Sequence, residues 1–292
     1  MKPSGLLIAI TLTFAAISCG EIVPDTEYPE KCGSLISFTG NMIEAGVYSK
    51  ATDEVKTLSQ FNVLCVTGET GISEKTVFNA SFSGTTKYTG GQFWPNTDLK
   101  YKFYASNAAI TAKPAGPVLA ATAAVNTKDV VAAVCTEPVY KSVNSLEFKH
   151  IFAQVGLCKV LSPKDYTVTG LSVSIVPKVS GVYSLLAGKD KSDGSGWSST
   201  KTGEAVVIAS ATGSETSNGL YLVPGDYELT VAYTLSRGAY TQQFNKTAKV
   251  SLMGGKINDL TVNLPAGNAI DLEFAITISE WTSNPITIDE LI

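Results

Sequence analysis

Apolar and polar residues alternate strictly over much of the chain. Tyr227, Leu229, Val231 and Tyr233 alternate with Glu228, Thr230, Ala232 and Thr234, directly after Pro224-Gly225. Ile270, Leu272, Phe274, Ile276 and Ile278 alternate with Asp271, Glu273, Ala275, Thr277 and Ser279. The same period runs through Leu260, Val262 and Leu264, and through Leu171, Val173 and Ile175. Leu99, Tyr101, Phe103 and Ala105 repeat it against Lys100, Lys102 and Tyr104. Successive strand side chains point to opposite faces, so each segment predicts a strand with one core face and one polar face. That is the pattern of antiparallel sheets packed as a sandwich. Gly90-Gly91, Pro95-Asn96, Gly194-Ser195-Gly196, Gly254-Gly255 and Pro265-Ala266-Gly267 punctuate the strands as turns. No long segment keeps a helical period. The Ala-rich stretch 114–133 is the exception, read as a short helix or a loosely packed crossover. A break falls at Thr136-Glu137-Pro138, and a new apolar strand begins at Leu146. The chain is therefore expected to be all-β, with two antiparallel β-sandwich domains in tandem over 34–140 and 141–292.

Composition removes several function classes. Of 292 residues, 44% are hydrophobic and only 16% charged, which excludes intrinsic disorder and disfavours a helical bundle. A net charge of −4 argues against nucleic acid as a partner, because binding it requires a basic face. Arg237 is the only arginine, so a bidentate clamp for phosphate or carboxylate has little material. His150 is the only histidine, and it sits inside the strand pattern Leu146 to Phe152, where a structural role is expected. Gly254-Gly255-Lys256 lacks the spacing and the following Ser or Thr of a phosphate loop. No carboxylate pair is marked out for glycoside hydrolysis. Neither a catalytic site nor a cofactor is expected.

The N-terminus has its own logic. Lys2 precedes an apolar run from Leu6 to Ile17, too short to span a membrane but the right length for a signal-peptide core. Ala16-Ile17-Ser18-Cys19 fits the bacterial lipobox, which makes 1–18 a lipoprotein signal and Cys19 the lipidation site. Two or three acyl chains anchor stably where one would be marginal. The stretch 19–33, acidic and interrupted by Pro24 and Pro29, reads as an extended tether to the outer membrane. Cys32, Cys65, Cys135 and Cys158 remain. None is at metal-binding spacing, and with one histidine no metal site is expected. Export permits disulfides, but Cys65 lies in phase with apolar neighbours, which favours buried thiols. Among the aromatics, Trp94, Trp197 and Trp281 could stack on sugars. Core packing is the expected role of Trp94 and Trp281, whereas Trp197, in a Gly/Ser-rich loop, is the best placed for exposure.

A run of six loose motifs in order carries a resemblance to a known family. Leu35-Ile36-Ser37-Phe38 follows the lipobox, then Ser49-Lys50-Ala51-Thr52 and Phe61-Asn62-Val63. Phe93-Trp94-Pro95 leads into Leu99 to Ala105, followed by Lys128 to Ala133 and Leu146-Glu147-Phe148-Lys149-His150. The chain closes on Gly255-Lys256, a strand pair and Trp281. This order resembles the fimbrillin family of Bacteroidetes, and the acidic tether resembles the segment that directs lipoproteins of that group to the cell surface.

The resemblance implies a pilus subunit of two transthyretin-like β-sandwich domains. Such a subunit reaches the cell outer membrane as a lipoprotein and polymerises with other fimbrillin subunits, its own copies or others. A trypsin-like protease cuts after a basic residue and removes the first strand, here roughly 34–49, and the groove left behind takes a C-terminal strand of the next subunit. The cut would fall at Lys50–Ala51. Lys50 stands where the family carries arginine, so an arginine-specific protease would not act there. The tail Pro285 to Ile292 fits a donor strand, with Ile286, Ile288 and Ile292 on one face and a span of about 26 Å at ~3.3 Å per residue. A closing edge strand of its own domain, or a frayed end, is the other reading of the tail. The rival function is a monomeric surface lipoprotein binding a glycan or host ligand.

Overall fold

The computed structural model describes residues 34–42, 58–68, 75–94, 99–113, 116–122, 129–189, 191–265 and 273–280. Every regular element among them is a strand. The N-terminal half contributes β1 (Leu35–Met42), β2 (Gln60–Thr67), β3 (Lys75–Gly84), β4 (Tyr88–Phe93), β5 (Tyr101–Ser106), β6 (Ile110–Thr111), β7 (Val118–Thr122), β8 (Val131–Cys135) and β9 (Val143–His150). The C-terminal half continues with β10 (Ala153–Leu161), β11 (Thr167–Ile175), β12 (Lys178–Ser184), β13 (Trp197–Thr202), β14 (Val206–Ala209), β15 (Gly213–Leu222), β16 (Gly225–Arg237), β17 (Tyr240–Leu252), β18 (Lys256–Asn263) and β19 (Glu273–Glu280).

Seven strands of the first half hydrogen-bond in the order β1-β4-β3-β2-β5-β8-β9 and close on themselves. β1 is the closing strand: it pairs antiparallel with β4 and parallel with β9, turning the expected sandwich into a barrel without an open edge. β9 begins after the break at 136–138, yet its ladders with β1 and β8 tie it to the barrel. In the second half, β15-β10-β18-β19 and β14-β11-β16-β17 form two sheets. Their apolar faces meet in one core that includes Val155, Val160, Val173, Leu229, Val231, Leu260 and Val262. The pairing of β1 recurs here, because β10 is flanked by an antiparallel β15 and a parallel β18.

A third sheet, β13-β12-β7-β6, joins the halves. β7 comes from the Ala-rich stretch, which is neither helix nor loose crossover in its described residues. It supplies β7 and β8 to two different sheets. Small side chains suit both placements, since β7 pairs with β12 from Ser180↔Thr122 to Ser184↔Val118 while Ala132 and Ala133 of β8 are buried on opposite faces. The sheet covers the outside of the barrel, and a further core forms there from Leu64, Val66, Tyr104, Leu119, Tyr183 and Tyr221. β2 and β5 are consequently buried on both faces: Val63, Cys65 and Phe103 point into the barrel, Leu64 and Tyr104 out of it toward the C-terminal half. Burial on two sides explains why Phe61 to Val66 reads as a nearly unbroken apolar run rather than an alternation.

Gly90-Gly91 is not a turn. Both residues lie inside β4, and the chain reverses at 85–87 instead. A Cβ on Gly90 would stand 2.6 Å from the Ser81 carbonyl oxygen, and Gly91 has φ +69°, so both positions require glycine for strand geometry.

Candidate functional site

Cys19, Lys50, Ala51, Ile286, Ile288 and Ile292 lie outside the described residues, as does Trp281. The strand just ahead of Lys50 is described, and it holds the centre of the barrel. Ile36 and Phe38 of β1 are fully buried. The Phe38 ring meets Phe82 at a centroid distance of 5.1 Å and Phe103 at 5.0 Å, both edge-on, with Phe61 at 6.4 Å. Phe61 in turn packs against Tyr88 at 4.8 Å and Phe148 at 5.0 Å. Phe38 thus plugs a socket lined by rings of β2, β3 and β5, which rings of β4 and β9 back up through Phe61. Edge-to-face pairs of this kind add to plain area burial.

Backbone bonds complete the seat. The Phe38 Cα is paired with Tyr88 on one side and with Asn144 on the other. The Trp94 N–H donates to the Ser34 carbonyl at 3.1 Å, fixing where β1 enters. The Tyr88 hydroxyl donates to the Leu58 carbonyl at 2.6 Å, which pins that ring under the strand. Loss of β1 would therefore bare two rows of backbone groups, on β4 and β9, together with an aromatic trough. Neither is stable in water without a replacement strand.

The other candidates are structural. Trp94 is 4% exposed and packs edge-on to Tyr101, Phe103 and Tyr140. Trp197 is half-buried, not the open platform its loop suggests. It stacks on Phe152 at 5.2 Å and leans on Tyr183. His150 is buried, its Nδ1 2.5 Å from Asp129 Oδ2. The alternation around His150 gives no sign of that carboxylate partner, which closes the polar run Asn126 to Asp129 twenty-one residues upstream. Cys65 and Cys158 are buried free thiols, pushed up to about 12 by desolvation, and Cys135 is a half-buried free thiol shifted the same way. Among the described residues no group of three or more His, Cys, Asp or Glu is placed to hold a metal. A cleft of about 660 Å³ opens beside Trp94, Tyr101 and Tyr140, with Lys100, Lys102 and Glu137 on its walls.

Comparison with known proteins places this architecture. A family model described as fimbrillin-like matches residues 41–281. No curated protein matches the chain. Among solved structures, one described as a cell-adhesion protein from Bacteroides eggerthii is 13% identical, with 87% of this chain and 98% of that one covered and a TM-score of 0.51. Another so described, from Bacteroides ovatus, is 16% identical over 87% and 100% of the two chains, with a TM-score of 0.49. A fimbrial assembly protein from Parabacteroides distasonis is 11% identical over 84% and 99%, with a TM-score of 0.41.

Proposed function

The chain belongs to the fimbrillin-like family, and on that premise we propose that it is a non-catalytic subunit of a surface pilus that assembles by exchanging strands with its neighbours. Membership makes it a fimbrial or adhesion-type surface protein. The finer reading is that Cys19 is lipidated and anchors the chain in the outer membrane, that proteolysis at Lys50–Ala51 releases β1, and that the vacated groove accepts a strand from another subunit. The observation that carries it is the position of β1: the strand just upstream of Lys50 closes the barrel through two ladders and seats Phe38 against rings of β2, β3 and β5. A donor strand would restore both ladders by β-augmentation.

Limited trypsin treatment of the mature protein tests this reading. In the presence of other fimbrial subunits, cleavage after Lys50 should yield a ladder of oligomers on unheated SDS gels, and Lys50→Ala should abolish it. Truncation after Trp281 should stop elongation. A ladder that persists in Lys50→Ala rules out that cut as the trigger, and normal filaments from the truncated chain refute the tail as donor.

The second reading, a ligand-binding adhesin, rests on the cleft beside Trp94. It is the weaker one because Trp94 offers almost no open face for a sugar ring to stack on. Glycan-array binding that is lost in Tyr140→Ala, with no oligomers under any protease treatment, would reverse the preference.

A further inference from the structure

The groove under β1 has a shape that limits its occupant, and its receiving one from another subunit rests on the strand-exchange reading. Ile36 and Phe38 point into the barrel, and by period two the next inward position is Gly40. A Cβ there would stand 3.1 Å from Tyr88 Cε2 and 3.4 Å from Phe148 Cε2. Neither ring has room to retreat. Tyr88 is buried, held by its hydrogen bond to Leu58 and packed on Phe61. Phe148 is fully buried against the other side of Phe61. Alanine would demand a shift of a few tenths of an ångström, and any longer side chain must displace a ring. The groove is deep at the seats of Ile36 and Phe38 and shut at Gly40.

We infer that this groove selects an extended strand of the pattern bulky-x-bulky-x-glycine, and that it excludes the tail of a second copy of this chain. The last twelve residues, Trp281 to Ile292, contain neither glycine nor alanine. Laid in the direction of β1 with Ile286 and Ile288 in the two deep seats, the tail puts Glu290 at the closed position. Sliding it by two residues brings Ile288 or Ile292 there. Run in reverse, with Ile288 and Ile286 in the deep seats, it places Asn284 there. No register with isoleucine in both deep seats avoids a side chain against Tyr88 and Phe148. The partner at this groove is a different subunit, recognised by a glycine two residues beyond its second bulky residue, and this chain enters a mixed assembly rather than a homopolymer.

A recognition site for a sequence-specific protease placed between residues 43 and 57 of the full mature chain allows a direct test. After cutting, three fluorescent peptides are offered: residues 34–42, the same peptide with Gly40→Val, and residues 281–292. The first should enter the groove, and the other two should bind at least about tenfold more weakly, the cost of overpacking a filled core. Equal binding of the Gly40→Val peptide or the tail peptide overturns the inference. Failure of the 34–42 peptide itself to enter sinks the strand-exchange reading instead. In the uncut chain, Gly40→Val should melt well below the parent or fail to fold, and an unchanged melting temperature would show that the position is not closed.

Discussion

Asn144 and Asn258 occupy the same post in the two halves of the chain. Asn144 accepts from the Val139 N–H at 2.7 Å and donates to the Val139 and Ser142 carbonyls. Asn258 accepts from the Met253 N–H at 2.9 Å and donates to the Met253, Lys256 and Gln154 carbonyls. Each sits near the start of a strand paired in parallel, β9 against β1 and β18 against β10, and each binds the backbone five residues upstream. The planar amide supplies both a donor and an acceptor, which neither alanine nor aspartate reproduces. Asn144→Ala and Asn258→Ala should each cost about 1–3 kcal/mol, the penalty for orphaned buried backbone groups, in urea denaturation. Asn144→Ala should also speed hydrogen exchange along β1.

Phe38 fills the aromatic socket alone. Phe38→Ala should destabilise the protein by about 3–5 kcal/mol. The loss should fall on the barrel, with the amides of β16 and β17 keeping their hydrogen-exchange protection. Equal loss across both halves would show that the chain unfolds as one unit.

Asp129 and His150 form a buried contact between the segment leading into β8 and the end of β9. Removing one partner takes a buried hydrogen bond from the other, so Asp129→Ala or His150→Ala should cost on the order of 1–3 kcal/mol. The double variant should cost less than the sum of the two single ones, and a double-mutant cycle measures the coupling.

The Asp259 carboxylate accepts the Leu157 N–H at 2.6 Å, bracing the irregularity in β10 at Gly156. Burial raises its pKa above the ordinary 3.8, more than the hydrogen bond from Leu157 lowers it. The folded state thus holds this proton more tightly than the unfolded one. Its contribution to stability is complete below the ordinary value and is lost as pH rises through the raised one. Asp259→Asn keeps an oxygen for Leu157 and cannot ionise. Relative to the parent, its stability should improve between pH 3 and pH 7, measured by urea midpoints. A constant difference would refute the assignment.

Cys65 and Cys158 should resist alkylation in the folded protein at pH 8, since burial keeps both thiols protonated. Cys135, half-buried, should label first of the three. Peptide mapping after brief iodoacetamide treatment distinguishes them, and prompt labelling of Cys65 would show that the barrel opens readily.

Strands with one wet face were legible from sequence. β11, β16 and β18 follow the alternation, because water on one side and core on the other writes a period of two. Where that contrast vanishes, so does the signal. β2 and β5 are covered twice, and Tyr104, placed on a polar face by its spacing, is fully buried toward the C-terminal half. β7 and β8 are written in alanine, which has no strand preference of its own and is placed there by partners far along the chain. The β1 groove was located by resemblance alone. Nothing in Leu35 to Met42 announces that it closes a barrel, because closure depends on β4 and β9 arriving on either side. The narrow place at Gly40 is set by two rings roughly fifty and a hundred residues away, and a glycine in a strand gives no hint of what crowds it.

The sheet in which β7 lies beside β12 carries a mechanical consequence. Backbone bonds from Ser180↔Thr122 to Ser184↔Val118 stitch the front of the molecule to its back. Tension passing from one end of the subunit to the other therefore meets a hydrogen-bonded seam before it meets a linker. Within a filament of the kind proposed above, such a subunit would act as one stiff link of a chain rather than two beads on a string.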